Sequence, residues 1–170
     1  MLETRDGGRS WTPWTHRVDN PDALHLNAIE KIGSALYMPS ERGVVFRMRE
    51  GEEHFSALQT AYTGSFFGIC GDERLLLAYG LRGTVYASTD QGANWSALPP
   101  AIPVALTACV RGADGRFLLA AASGHVVAVA LAADGQVYLG GLPAAHIQRV
   151  DWTQRKLVDM GRPSATESYI

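Results

Sequence analysis

The chain has 170 residues, 46% of them apolar and 19% charged, with a formal net charge of −2, a balance that suits one globular domain with a sizeable core. Its fifteen basic residues are scattered, which excludes the basic stripe of a nucleic-acid binder. The longest nearly uncharged run, Phe117 to Ala133, is broken by Ser123, Gly124 and His125 and falls short of the ~20 residues of a membrane-spanning helix.

In chain order, Met1 to Asp6 lacks an apolar h-region, so no secretory leader is expected in this chain. Residues 1 to 14 read instead as the outer hairpin of a β unit, built on Thr4-Arg5-Asp6-Gly7-Gly8-Arg9-Ser10-Trp11. The same Ser/Thr-x-Asp-x-Gly-x-x-Trp pattern returns at Ser88-Thr89-Asp90-Gln91-Gly92-Ala93-Asn94-Trp95. The tryptophans stand 95 − 11 = 84 positions apart, two periods of 42, which is the size of a propeller blade. Between them, Gly43-Val44-Val45-Phe46 aligns with Gly83-Thr84-Val85-Tyr86, and Phe55 with Trp95, at an offset of 40. Gly124-His125-Val126-Val127 follows at 124 − 83 = 41. A short apolar run precedes each of these glycines, at Ala35 to Met38, Leu75 to Ala78 and Phe117 to Ala121, so each unit reads as several short strands joined by turns. His146 to Val150 and Lys156 to Gly161 look like the first two strands of one more unit.

The expected fold class is therefore all-β: a β-propeller of four-stranded antiparallel blades, about four per chain, as a half-propeller or a small ring. The expected blades are 28–60, 66–98, 105–133, and 144–161 completed by 1–14. Pairing the two ends would remove the open sheet edges. One molecule could close a four-bladed ring, two could exchange ends as a homodimer with eight blades, or the chain could be half of a longer one.

The repeated turn has a physical purpose. An aspartate side chain accepts hydrogen bonds from backbone amides two or three residues on, and glycine supplies a positive φ. Thr4, Asp6, Gly8 and Trp11, and again Ser88, Asp90, Gly92 and Trp95, are thus expected to be structural, the tryptophans filling the space between neighbouring sheets. One carboxylate per turn is too few for a calcium loop. The second unit departs from the pattern, with Arg49-Glu50-Gly51-Glu52-Glu53 at this place. Cys70 and Cys109 have no CxxC partner and are expected to be reduced, buried thiols.

If the Asp turns occupy one rim, the unit-to-unit loops and the turns around Glu41-Arg42, Leu81-Arg82 and Ser123 share the opposite face. Arg42 and Arg82 recur just before the turn glycine, and Phe66, Phe67 and Tyr79 could add aromatic surface beside them. Arginine and aromatic side chains are the usual anchors of protein contacts, so these five are the candidate binding residues. No phosphate-cradling glycine motif and no metal-ligand spacing occurs, so no cofactor and no metal are expected.

The turn signature Asp90-Gln91-Gly92-Ala93-Asn94-Trp95, together with Leu26-Asn27-Ala28-Ile29, Gly64-Ser65-Phe66-Phe67-Gly68 and Tyr79-Gly80-Leu81-Arg82-Gly83, resembles the Asp-box, or BNR-repeat, propellers. Within them the chain is most similar to the photosystem II stability/assembly-factor-like proteins, in the bacterial branch associated with RND-type transporters. That resemblance implies a non-catalytic binding or assembly scaffold for a membrane-associated protein partner, a transporter or other membrane complex, and a periplasmic or membrane-associated location. It also implies that the chain corresponds to a C-terminal portion or a shortened relative, because members of that branch usually run longer. The alternative is a sialidase-like propeller that binds or hydrolyses glycans. The candidate face offers Arg17, Arg42 and Arg82 but only Asp19, Asp22 and Glu41 as carboxylates, and Tyr62 and Tyr79 lack a nearby glutamate. A paired acid and base for glycoside hydrolysis is not evident, so no enzyme activity is expected.

Overall fold

The computed structural model describes residues 1–99, 102–133, 135–141, 148–151 and 156–159. A two-stranded hairpin, β1 (Leu2–Glu3) and β2 (Thr12–Pro13), is followed by three four-stranded antiparallel sheets. The first comprises β3 (Glu30–Ile32), β4 (Ala35–Pro39), β5 (Val44–Arg49) and β6 (Ser56–Gln59). The second comprises β7 (Phe66–Gly71), β8 (Leu76–Gly80), β9 (Val85–Ser88) and β10 (Ser96–Leu98). The third comprises β11 (Leu106–Arg111), β12 (Phe117–Ala121), β13 (Val126–Leu131) and β14 (Val137–Gly141), and a last pair is β15 (Gln148–Asp151) with β16 (Lys156–Asp159). In each full sheet the strands lie side by side in chain order. These are propeller blades, and among the described residues only two short 3-10 turns interrupt the all-β pattern.

The blades stack because their middle strands are apolar on both faces. In and just before β8, Leu75, Leu77 and Tyr79 face the third blade and join Leu119, Val127 and Val129, while Leu76 and Ala78 face the first blade and join Tyr37, Val45, Phe66 and Ile69. A strand buried on both sides reads as an unbroken apolar run, which is what Leu75 to Tyr79 presents. On its other face the first blade packs Met38, Phe46, Met48 and Phe55 against Met1 and Trp14 of the N-terminal hairpin segment. The Trp14 and Phe55 rings meet edge to face at 5.8 Å.

Two expectations concern extent. The third blade runs to Gly141 rather than 133, because Leu131 is followed by a tight turn, with the Gly135 amide donating to Ala132 O and the Ala132 amide to Gln136 O. β14 then pairs in register with β13, Val129 opposite Leu139. The second is the completion of a fourth blade by residues 1–14, where among the described residues β1–β2 and β15–β16 are two two-stranded sheets. Residues 142–147, 152–155 and 160–161 of the expected fourth unit lie outside the described residues.

Cys70 and Cys109 are not reduced thiols but a disulfide. They occupy the innermost strands β7 and β11 of adjacent blades, with Cα atoms 6.3 Å apart and a sequence separation of 39. That separation is one blade period, which sets equivalent positions side by side within bonding reach.

Candidate functional site

Antiparallel order divides the turns between two rims. The β5–β6 and β9–β10 turns share one rim with the β7–β8 and β11–β12 turns. The β4–β5 and β8–β9 turns share the other with the blade-to-blade loops, here called the loop face.

On the loop face, two turns of the same form display Arg42 and Arg82. The Val44 amide donates to Glu41 O at 3.1 Å and the Thr84 amide to Leu81 O at 3.0 Å. Arg42 and Arg82 have φ of 52° and 55°, and Gly43 and Gly83 that follow have 69° and 73°. Two successive positive φ values make these the primed turns that suit a twisted hairpin, a place usually taken by Asn-Gly. Holding an arginine there costs about 1–2 kcal/mol. The glycines cannot be replaced cheaply, since a Cβ on Gly43 would overlap the Tyr62 carbonyl and one on Gly83 the Ile102 carbonyl. Each turn is thus pressed against the segment leading into the next blade.

Arg42 Nη1 reaches Asp22 Oδ2 at 3.1 Å, and its carbonyl accepts from Gln59 Nε2 at 2.8 Å. Beside it, Glu41 accepts the His25 amide at 3.1 Å and lies 3.0 Å from His25 Nδ1. The His25 contacts, the side-chain one foremost, hold the Glu41 carboxyl below its ordinary range. Two of the three carboxylates expected on this face are therefore engaged, Asp22 in an ion pair with Arg42 and Glu41 in its contacts with His25. Arg82 has no ion pair among the described residues, and its neighbour Leu81 is 39% exposed.

The aromatic candidates separate. Phe67 is 36% exposed and sits at a β-bulge, where Phe66 pairs with Gly80 and Gly68 with Tyr79, leaving Phe67 outside the ladder at the loop-face end of β7. Phe66, expected as a contact, is instead fully buried, its ring 5.1 Å from Tyr62 and 5.7 Å from Tyr86. Tyr79 is also core, 7% exposed, and burial raises its hydroxyl pKa. A bulge on a strand that feeds a binding face re-aims a side chain outward. The third blade repeats the device, with Leu106 opposite Ala121, Ala108 opposite Ala120, and Thr107 between them. Sequence reading placed the Leu81-Arg82 turn and the loop ending at Thr107 on this face but did not count Leu81 or Thr107 among the candidate contacts, although the spacing of 40 between Phe67 and Thr107 was a usable signal.

On the opposite rim the two Asp boxes share their main hydrogen bonds. Thr4 Oγ1 donates to Asp6 Oδ1 at 2.9 Å and accepts the Gly8 amide at 2.8 Å, as Ser88 Oγ does for Asp90 and Gly92 at 2.8 Å each. The Ser10 and Asn94 amides close the turns on the aspartate Oδ1 atoms at 2.9 Å and 2.8 Å. Hydrogen bonds from the Ser10 side chain, then the Ser10 amide and the Thr4 hydroxyl, lower the Asp6 pKa to about 2. At Asp90 desolvation raises the pKa, and donation from Asn94 and Ser88 outweighs it, so the net shift is downward. The tryptophans differ. Trp95 is half-buried against the first blade near Leu58, whereas Trp11 is 57% exposed, so its expected place between two sheets is not realised in the described residues. The β5–β6 turn takes another shape, in which the Arg49 amide donates to Glu52 Oε2 at 2.7 Å.

No family profile matches the chain, and no curated protein does. Among solved structures it is similar to YCF48 bound to a D1 peptide, with 19% identity and a TM-score of 0.57 over 88% of this chain and 58% of that one. It is also similar to YCF48 from Cyanidioschyzon merolae, with 14% identity and a TM-score of 0.53 over 87% of this chain and 51% of that one. The chain thus spans just over half the length of these propellers, and the likeness establishes its fold.

Proposed function

We propose that this chain is a non-catalytic binding scaffold whose loop face, with Arg42, Arg82, Leu81 and Phe67, captures a peptide segment of a membrane-associated protein. The observation that carries the reading is the pair of strained turns. A left-handed arginine is held twice, at equivalent places on adjacent blades, where asparagine would be easier. Backbone strain that persists is a pointer to function, and arginine with an exposed aromatic beside it is anchor chemistry. That a structurally similar propeller has been seen bound to a D1 peptide supports a peptide as the kind of ligand. The Cys70–Cys109 disulfide supports an oxidising compartment, the periplasm among them, where such bonds persist.

The test is capture of a partner from detergent-solubilised membranes by immobilised wild type and by the Arg42→Ala/Arg82→Ala double variant. A specific protein retained by the wild type and lost with the variant is the expected result. Equal retention by both would overturn the assignment of the face. Turnover of a fluorogenic sialoside by the wild type and not by Arg82→Ala would replace the scaffold reading with the glycosidase one.

A further inference from the structure

The rim opposite Arg42 and Arg82 carries a second concentration of arginine that the loop-face reading does not use. There the β7–β8 and β11–β12 turns of adjacent blades enclose a cleft of about 230 Å³, with Arg74, Arg111 and Arg116 on its walls and Ala130 and Leu131 along one side. Arg111 Nη2 crosses the blade boundary to Asp72 Oδ2 at 3.1 Å, and its guanidinium lies 5.9 Å from the centre of the Phe117 ring. Arg116 pairs with Asp114 of its own turn at 2.6 Å. Arg74 has no carboxylate partner among the described residues.

The two aspartates are engaged by the other two arginines and by backbone amides. Asp72 Oδ1 already accepts the Arg74 and Leu75 amides at 2.9 Å and 3.1 Å, and its other oxygen takes Arg111. Asp114 takes the Arg116 amide at 3.0 Å as well as its guanidinium. Among the described residues three guanidinium groups therefore line the recess against two carboxylates, each already engaged by a backbone amide and one arginine, which leaves one positive charge and several N–H donors without a carboxylate. Each guanidinium carries five donors in a fixed fork matched to a carboxylate.

The walls are also fixed relative to one another. Asp72, just past the end of β7, and Arg111, the last residue of β11, stand two residues beyond Cys70 and Cys109, so the disulfide and the ion pair are successive links between the same two blades. A preformed cleft loses less on binding than one that must be assembled. We propose that this cleft binds a carboxylate carried on a short apolar stem, the carboxylate between Arg74 and Arg111 and the stem against Ala130 and Leu131. The volume suits one side chain or chain end of this kind, and carboxylates are what its arginines already hold.

The experiment is an NMR titration of the oxidised protein, following the arginine Nε–H signals and the amides of Gly112 to Phe117. One arm uses glutarate, and the other a capped tripeptide with a central glutamate, with the glutamine peptide as its control. Saturable shifts with either carboxylate are expected, about tenfold weaker in Arg74→Gln and in Arg111→Gln. Tighter binding of the peptide identifies a protein segment as the source, and tighter binding of glutarate a free acid. Arg74 is exposed and unpaired, so its variant reports on binding without disturbing the fold, and Arg42→Ala/Arg82→Ala should bind as the wild type does. Absence of shifts, equal response to the glutamine peptide, or unchanged affinity in Arg74→Gln would overturn the proposal.

Discussion

Reducing the Cys70–Cys109 bond should cost this protein a large part of its stability, because that bond cross-links two blades otherwise joined by the connecting loop, packing and the Arg111–Asp72 ion pair. The cross-link closes a loop spanning 39 positions. In the chain-entropy relation a loop of that length restricts the unfolded chain by an amount worth about 4 kcal/mol. For a domain of this size each kcal/mol moves the melting temperature by about 2–4 °C, so the expected fall is roughly 8–16 °C. The assay is a urea titration followed by tryptophan fluorescence, with and without reductant, alongside the Cys70→Ser/Cys109→Ser variant. The wild type should lose stability on reduction and meet the variant, which should not respond to reductant. Two titratable thiols in protein purified under oxidising conditions, or a urea midpoint indifferent to reductant, would refute the cross-blade bond.

Other outcomes follow from the same geometry. Gly43→Ala meets both a left-handed φ and the Tyr62 carbonyl and should destabilise by about 3 kcal/mol or more, against about 1–2 kcal/mol for Gly51→Ala, where φ is also positive but the space is open; thermal melts of the two variants give the comparison. Phe66→Ala should cost about 3–5 kcal/mol as a core deletion, and Phe67→Ala within about 0.5 kcal/mol as a surface change. Only the second should lower partner capture without a shift in melting temperature. The folded-state pKa values of Asp6 and Asp90 lie below the ordinary carboxylate value, so their stabilisation is complete above 3.8 and is lost as pH falls through the folded values, about 2 for Asp6. An Asp6→Asn/Asp90→Asn variant should therefore show a flatter stability curve below 3.8 than the wild type in acid titrations.

The blade period and the Asp boxes were legible because each rests on local chemistry: a serine or threonine, an aspartate and a glycine must stand at fixed offsets for the turn to close. The disulfide was not, because its partners are one whole period apart and come together only through stacking of blades. Phe66 and Phe67 are adjacent in sequence and opposite in fate, since the bulge that expels Phe67 depends on how β7 pairs with β8. The fourth strand of the third blade was missed because its turn, Ala132 to Gln136, is too short to carry the box. The box-rim cleft was invisible for a similar reason, as Arg74 and Arg111 converge from turns of different blades.

The central claim is that the loop face, not the box rim, meets the partner. Photocrosslinking tests it directly, with a benzoylphenylalanine placed either at Leu81 or at Ala93 of the second Asp box, each irradiated with native membranes. A light-dependent adduct with one membrane protein from position 81, and none from position 93, is the predicted result. Adducts from position 93 alone, or the same adducts from both, would contradict it.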